Sequence, residues 1–145
     1  MSNFLIVHIA TSTAGYLVFA IAFVIACLFI YREKTIKSKN VNLKERFSFS
    51  LDILDKYMFT ALTVGFILLS IGIPTGALLQ RKMFGSINMF SPRLAIPSVL
   101  WLFYLIIIYA RYRSGYRGRI TSYLVIFGGC CTMLSLFYEL YRVNL

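Results

Sequence analysis

The sequence predicts an all-α polytopic membrane protein, a bundle of four transmembrane helices in a single domain. Three observations carry that prediction. The chain of 145 residues is 59% hydrophobic and only 14% charged, whereas soluble domains are nearer half apolar and a quarter charged. Its mean hydropathy is +0.78. Residues 4–31, 57–80, 94–110 and 120–138 contain no Asp, Glu, Lys or Arg. Each run is about the 17–25 residues a helix needs to cross roughly 30 Å of hydrocarbon. Lipid offers no hydrogen-bond partner, so the backbone must satisfy itself, which favours helices. The runs are continuous rather than alternating, which argues against a β-barrel.

The expected helices cover about 4–31, 57–80, 94–112 and 120–141. The first is expected to be a retained span rather than a signal peptide, because it has no basic start and its apolar stretch is too long. His8 lies within about two turns of its beginning. Tyr16, Phe19 and Phe23 recur at helical spacing, and Tyr31 closes the apolar run, where aromatic residues gather at the interface. A basic loop, 32–56, follows. Within its end, Ser50 is a candidate N-cap, with Asp52 and Asp55 expected to stay in water while Leu51 and Leu54 rest at the interface.

The second helix carries Gly65, Gly72 and Gly76. Gly72 and Gly76 make a G-x-x-x-G, a spacing that lets a second helix, or a flat ligand, approach closely. Pro74 removes one backbone donor and predicts a kink near the far end. A connection over 81–93 leads to the third helix, with Trp101 two turns in. Gly115 and Gly118 allow the tight, basic turn to the fourth helix, whose Gly128 and Gly129 thin it near its middle.

The net charge of +10 is expected to serve topology and lipid headgroups rather than nucleic acid. Arg32, Lys34, Lys37, Lys39, Lys44, Arg46 and Lys56 lie in the first connection, and Arg111, Arg113, Arg117 and Arg119 in the third. Only Arg81, Lys82, Arg93 and Arg142 fall on the opposite side. Eleven against four puts both termini and the 81–93 connection outside and the basic loops in the cytoplasm. Cys27, Cys130 and Cys131 form no C-x-x-C and read as packing residues. No phosphate-binding loop, nucleophile–base set or metal-ligand cluster stands out. No ionisable residue sits deep in a span, against an ion pathway. The chain is therefore not expected to be an enzyme.

Three segments carry a resemblance. They are "HIATSTAGYLVFAIAFVIACLFIYREKTIK", "SLDILDKYMFTALTVGFILLSIGIPTGALL" and "YARYRSGYRGR". In order and spacing they resemble the membrane cytochrome c assembly family, the CcsA/HemX-like proteins that contain a tryptophan-rich WWD domain. The likeness covers nearly the whole chain, matching the C-terminal part of a typical member. The family's motif, roughly W-G-x-x-W-x-W-D-P-x-E, lies outside the membrane and handles haem. Here "FGSINMFSPRL", 84–94, stands in its place. Gly85 and Pro92 match. Phe84 and Phe90 stand at Trp positions. Asn88, Ser91 and Leu94 replace a Trp, the Asp and the Glu. Ile96 replaces a later Trp, and Trp101 matches one.

The resemblance implies an outer haem platform of Phe84, Gly85, Met89, Phe90, Pro92 and Trp101. His8, which matches the family's histidine before the motif, is the candidate haem iron ligand. Tyr109 stands near where some members have a membrane histidine, so the second ligand would be Met83 or Met89, a pairing haem accepts. The implied role is to hold and present haem beside other assembly proteins in a bacterial inner membrane. The thioether chemistry would then belong to a partner or to the apocytochrome thiols. The alternative is a non-catalytic accessory subunit of a respiratory or assembly complex that keeps the fold without haem.

Overall fold

The computed structural model describes residues 2–38 and 44–143. It contains α1 (Ser2–Ser38), α2 (Lys44–Phe84), α3 (Pro92–Ser114) and α4 (Arg119–Val143), and no strand among the described residues. The expected all-α, four-span fold is borne out, since each helix is long and apolar enough to cross a membrane.

The helices outrun the apolar stretches. Residues 32–38 belong to α1 and 44–56 to α2, while 39–43 lie outside the described residues. The expected basic loop is thus largely helical extension. The physical reason is local. Residues 32–56 contain neither Gly nor Pro, so leaving the hydrocarbon changes the solvent but not the backbone preference. Glu33 and Lys37 support the extension as an i,i+4 pair at 3.3 Å, in the favourable order. Ser50 is no N-cap. It lies inside α2, where its hydroxyl accepts a hydrogen bond from Arg32. α2 has 41 residues, roughly 60 Å of helix, about twice the hydrocarbon thickness.

Glycine and proline do set the other boundaries. Gly85, at φ 75°, ends α2 as its N–H reaches the Arg81 carbonyl at 2.9 Å. Ser91 is the N-cap of α3 and Pro92 takes its first position, where a missing N–H costs nothing. Gly115, at φ 64°, caps α3 with its N–H on the Arg111 carbonyl. α2 continues as helix through Pro74.

The helices run up, down, up and down. Pairings at successive levels fix this antiparallel order. Phe19 lies over Gly65 and His8 over Gly76 between α1 and α2. Trp101 meets Ser70, and Arg111 meets Asp55, between α3 and α2. Phe23 lies against Gly129, and Arg119 near Glu33, between α1 and α4. α1 packs most extensively on α2, because the glycines at 65, 72 and 76 remove the side chains that would hold the backbones apart.

The core gathers Phe19, Ala22, Ala26, Met58, Leu62, Leu69, Leu100, Tyr104, Ile107 and Val125. Phe19 and Tyr104 stack with centroids 4.1 Å apart and planes 7° from parallel. The Tyr104 hydroxyl and the Thr132 hydroxyl lie 3.1 Å apart, so the aromatic brings its polar end to a partner. Large apolar residues such as Leu17, Ile106 and Leu134 are exposed around the bundle, as lipid-facing positions should be.

The two ends differ. At one, Asp55 accepts two bonds from Arg111, at 2.8 and 2.6 Å, and a third from the Gly118 N–H at 3.0 Å. Arg111 also lies 4.3 Å over the Phe59 ring. Asp55 is buried, not in water as the sequence suggests. Its partner lies 56 residues away, beyond the reach of local reading. Asp52 is exposed as expected. The other end holds the 85–91 connection, His8 and Arg142, and there the bundle opens.

Candidate functional site

All four helices line a cavity of about 640 Å³ at that open end, within the ~300–1,000 Å³ typical of ligand pockets. α1 contributes His8, Ser12 and Tyr16, each four residues from the last and so on one face. α2 contributes Leu69, Gly72, Ile73, Gly76, Leu79, Gln80, Met83 and Phe84, again one stripe at spacings of three and four. The 85–91 connection adds Ser86, Asn88 and Ser91. α3 adds Arg93, Leu94 and Pro97, and α4 adds Ser135 and Arg142.

Three polar groups surround one nitrogen of His8. Its Nδ1 lies 3.0 Å from the Gly72 carbonyl oxygen. The hydroxyls of Ser12 and Thr75 lie 3.5 Å from the same nitrogen. A carbonyl can only accept, so Nδ1 carries the hydrogen. In a neutral imidazole Nε2 then keeps its lone pair. This is how metal-ligating histidines are commonly oriented, with one nitrogen tied to a carbonyl and the other left to bind.

The G-x-x-x-G explains how the ring fits. A methyl at Gly76 would stand 2.7 Å from His8 Cε1, and one at Gly72 would stand 3.1 Å from the Ser12 hydroxyl. The glycine pair thus admits both the helix and the imidazole. Both uses were open in the sequence, but nothing there says that His8 is the group admitted.

The structure brings three of the candidate residues together. His8, Met83 and Phe84 line the cavity. Gly85 and Pro92 bound the adjoining connection without lining it. Met89 and Phe90 also lie outside the lining, and Phe90 is 93% exposed. Trp101 sits deeper, between α2 and α3. Its indole N–H donates to Ser70 Oγ at 2.8 Å and its ring stacks on Phe66 at 5.2 Å. Of the two methionines considered as a second ligand, the cavity includes Met83.

Sequence reading passed over several lining residues. Ser12 and Tyr16 share the His8 face, a signal visible in their spacing. Gln80 gave no signal. Arg93 and Arg142 read as topology charges in the sequence, and only the fold puts both in the lining of the cavity that holds His8.

Comparison with known proteins agrees in kind. The family model described as Cytochrome C assembly protein matches residues 1–142. The chain is 31% identical over 84 residues to the cytochrome c biogenesis protein CcsA of Synechococcus sp. (strain CC9311), covering 54% of this chain and 28% of that protein. It is 25% identical over 133 residues to the inner membrane protein YpjD of Escherichia coli (strain K12), covering 92% and 49%. CcsA of Mesostigma viride is 26% identical over 147 residues, covering 88% and 48%. The chain therefore spans at most about half the length of these relatives. No solved structure gives a significant match.

Proposed function

The chain belongs to the cytochrome c assembly protein family, and on that premise we propose that it holds haem in the cavity beside His8 and presents it for cytochrome c assembly. The observation that carries this reading is the His8 Nδ1 contact with the Gly72 carbonyl, at 3.0 Å, which leaves Nε2 as the coordinating nitrogen. The chain's own residues fit a porphyrin. The lining is apolar where Leu69, Ile73, Leu79 and Leu94 gather, and Phe84 and Met83 stand at its edge. When bound, haem would supply a hydrophobic plane and an iron able to take a nitrogen ligand.

The residues have distinct tasks. Gly76 makes room for the imidazole, and the Gly72 carbonyl holds its tautomer. His8 would supply a nitrogen ligand to the iron. Met83, in the same lining, is the chain's own candidate for a second ligand. Gly85 and Pro92 shape the connection beside the cavity. Phe90 and Met89, exposed on that connection, are the surface an incoming protein would meet. Trp101 braces α3 against α2 below the cavity. The role is holding and presenting rather than catalysis.

By the charge asymmetry, the cavity end and both termini face outward and the Asp55–Arg111 end faces the cytoplasm. YpjD is named an inner membrane protein, which supports a bacterial inner-membrane location. The partners are then the bilayer and other membrane proteins of cytochrome c assembly. The accessory-subunit alternative has no observation of its own in its favour.

The test is an absorbance spectrum of the detergent-purified protein, oxidised and reduced. A Soret band is expected, and it should fall or shift in His8→Ala. Colourless wild-type protein from haem-replete cells, with no band on adding haem, would overturn the reading.

A further inference from the structure

The cavity carries a charge that ligation by His8 does not explain. Its lining includes two guanidiniums, Arg93 in the first turn of α3 and Arg142 in the last turn of α4, and no acidic side chain among the described residues. The N-terminus of α3 adds to this. Its first turn has no acidic residue, and Pro92 at the first position has no N–H. Ser91, the N-cap residue, makes no side-chain cap bond. Its hydroxyl instead accepts from Gln80 Nε2 at 3.2 Å. The partial positive charge of the helix end is therefore left for something else to meet. The other end of the Gln80 amide, Oε1, is buried without a hydrogen-bond partner.

A cavity with more apolar than polar surface and two solvent-exposed arginines in its lining suits an amphiphile that turns its acid groups toward solvent. Guanidinium suits that task, because its planar fork matches a carboxylate with two parallel bonds. We propose that Arg93 and Arg142 bind the two carboxylates of the porphyrin, so that the cavity selects a free-acid porphyrin and fixes which edge faces outward. This rests on the haem reading above and extends it. His8 would set where the iron sits, and the arginine pair would set how the ring is turned. The two arginines come from α3 and α4, so the recognition also needs these helices correctly paired.

The experiment compares ferric protoporphyrin IX with its dimethyl ester, titrated into the detergent-purified protein and followed by Soret absorbance. Wild type should bind the free acid at least about tenfold more tightly than the ester, since each charge-assisted contact is worth roughly a factor of ten. Arg93→Gln and Arg142→Gln should each weaken the free acid by about tenfold and leave the ester unchanged. His8→Ala should alter the Soret position with both forms, which separates ligation from acid recognition. Equal wild-type affinity for acid and ester overturns the arginine assignment and leaves the haem reading standing. So does an equal loss for both forms in the arginine variants. No Soret response to either form overturns the haem reading and this assignment with it. Because the first comparison uses wild type alone, its outcome does not depend on whether a variant folds.

Discussion

The imidazole of His8 fills the space that a side chain at Gly76 would need. A methyl on Gly76 would lie 2.7 Å from His8 Cε1 and 3.2 Å from Nδ1. Gly76→Ala must therefore move the ring or part the helices. Overpacking of this kind costs about 1–3 kcal/mol. The expected outcome is a lower melting temperature in detergent together with weaker haem binding, read from the Soret titration. A variant with unchanged affinity would show that the position of the ring is not required.

Two other glycines separate crowding from backbone strain. A methyl at Gly129 would run into the Phe23 ring and stand 3.0 Å from Phe23 Cβ. Gly85 has nothing within 4 Å of a new methyl, but its φ is 75°. Gly129→Ala should cost about 1–3 kcal/mol by pushing α1 from α4. Gly85→Ala should cost about 1–2 kcal/mol, all of it from the left-handed backbone. Gly85→Asn should recover part of that loss, because Asn tolerates the conformation, whereas Gly129→Asn should be worse than alanine. Thermal denaturation in one detergent compares all four.

The Asp55–Arg111 pair should dominate the stability of the end of the bundle opposite the cavity. Its side chains are only 12% and 9% exposed. Asp55→Ala leaves a largely buried guanidinium uncompensated and the Gly118 N–H without its acceptor, with an expected loss of about 3–5 kcal/mol. Arg111→Lys keeps the charge but cannot make both bonds at once, so it should fall between wild type and Asp55→Ala. Removing both partners together should cost less than the sum of the single losses. Denaturation of the double-mutant set measures that coupling.

Trp101 offers a contrast within the motif-like segment. Trp101→Phe removes the indole N–H that reaches Ser70, at a cost of about 1 kcal/mol, and keeps most of the ring on Phe66. The melting temperature should drop modestly and the Soret position should stay unchanged. A shifted Soret band would place Trp101 in contact with haem and contradict its lodging between α2 and α3.

Orientation is tested by accessibility. In a background without Cys27, Cys130 and Cys131, Ser86→Cys should react with an impermeant maleimide in intact cells. Arg117→Cys should react only once the cytoplasm is opened. The reverse pattern would invert the assignment made from the basic connections.

Much of the fold was legible in the sequence because the bilayer enforces it. Runs without charge had to be helices, and Gly115 and Gly118 had to mark the tight turn between the last two. Helix ends in water were less legible. Residues 32–38 and 44–56 lose the apolar pattern but stay helical, because no Gly or Pro there breaks the helix. The candidate site was legible only in part. His8 and Phe84 were identified through resemblance, and the G-x-x-x-G announced a close approach without naming what approached. Asp55 misled, since two acids near an interface suggest water until the guanidinium 56 residues on is brought alongside.

The sequence by itself determined that four helices cross a membrane, which end carries the excess of positive charge, and where glycine lets chains come close. Those properties depend on neighbours in the chain and on the solvent around them. Only the tertiary structure decided that His8 is held by the Gly72 carbonyl, that Met83 and Phe84 share its cavity while Met89, Phe90 and Trp101 do not, and that Arg93 and Arg142 line the same cavity. Each of those facts joins residues on different helices. They follow from how the antiparallel helices are levelled against one another, which close packing at Gly65, Gly72 and Gly76 fixes and no local pattern records.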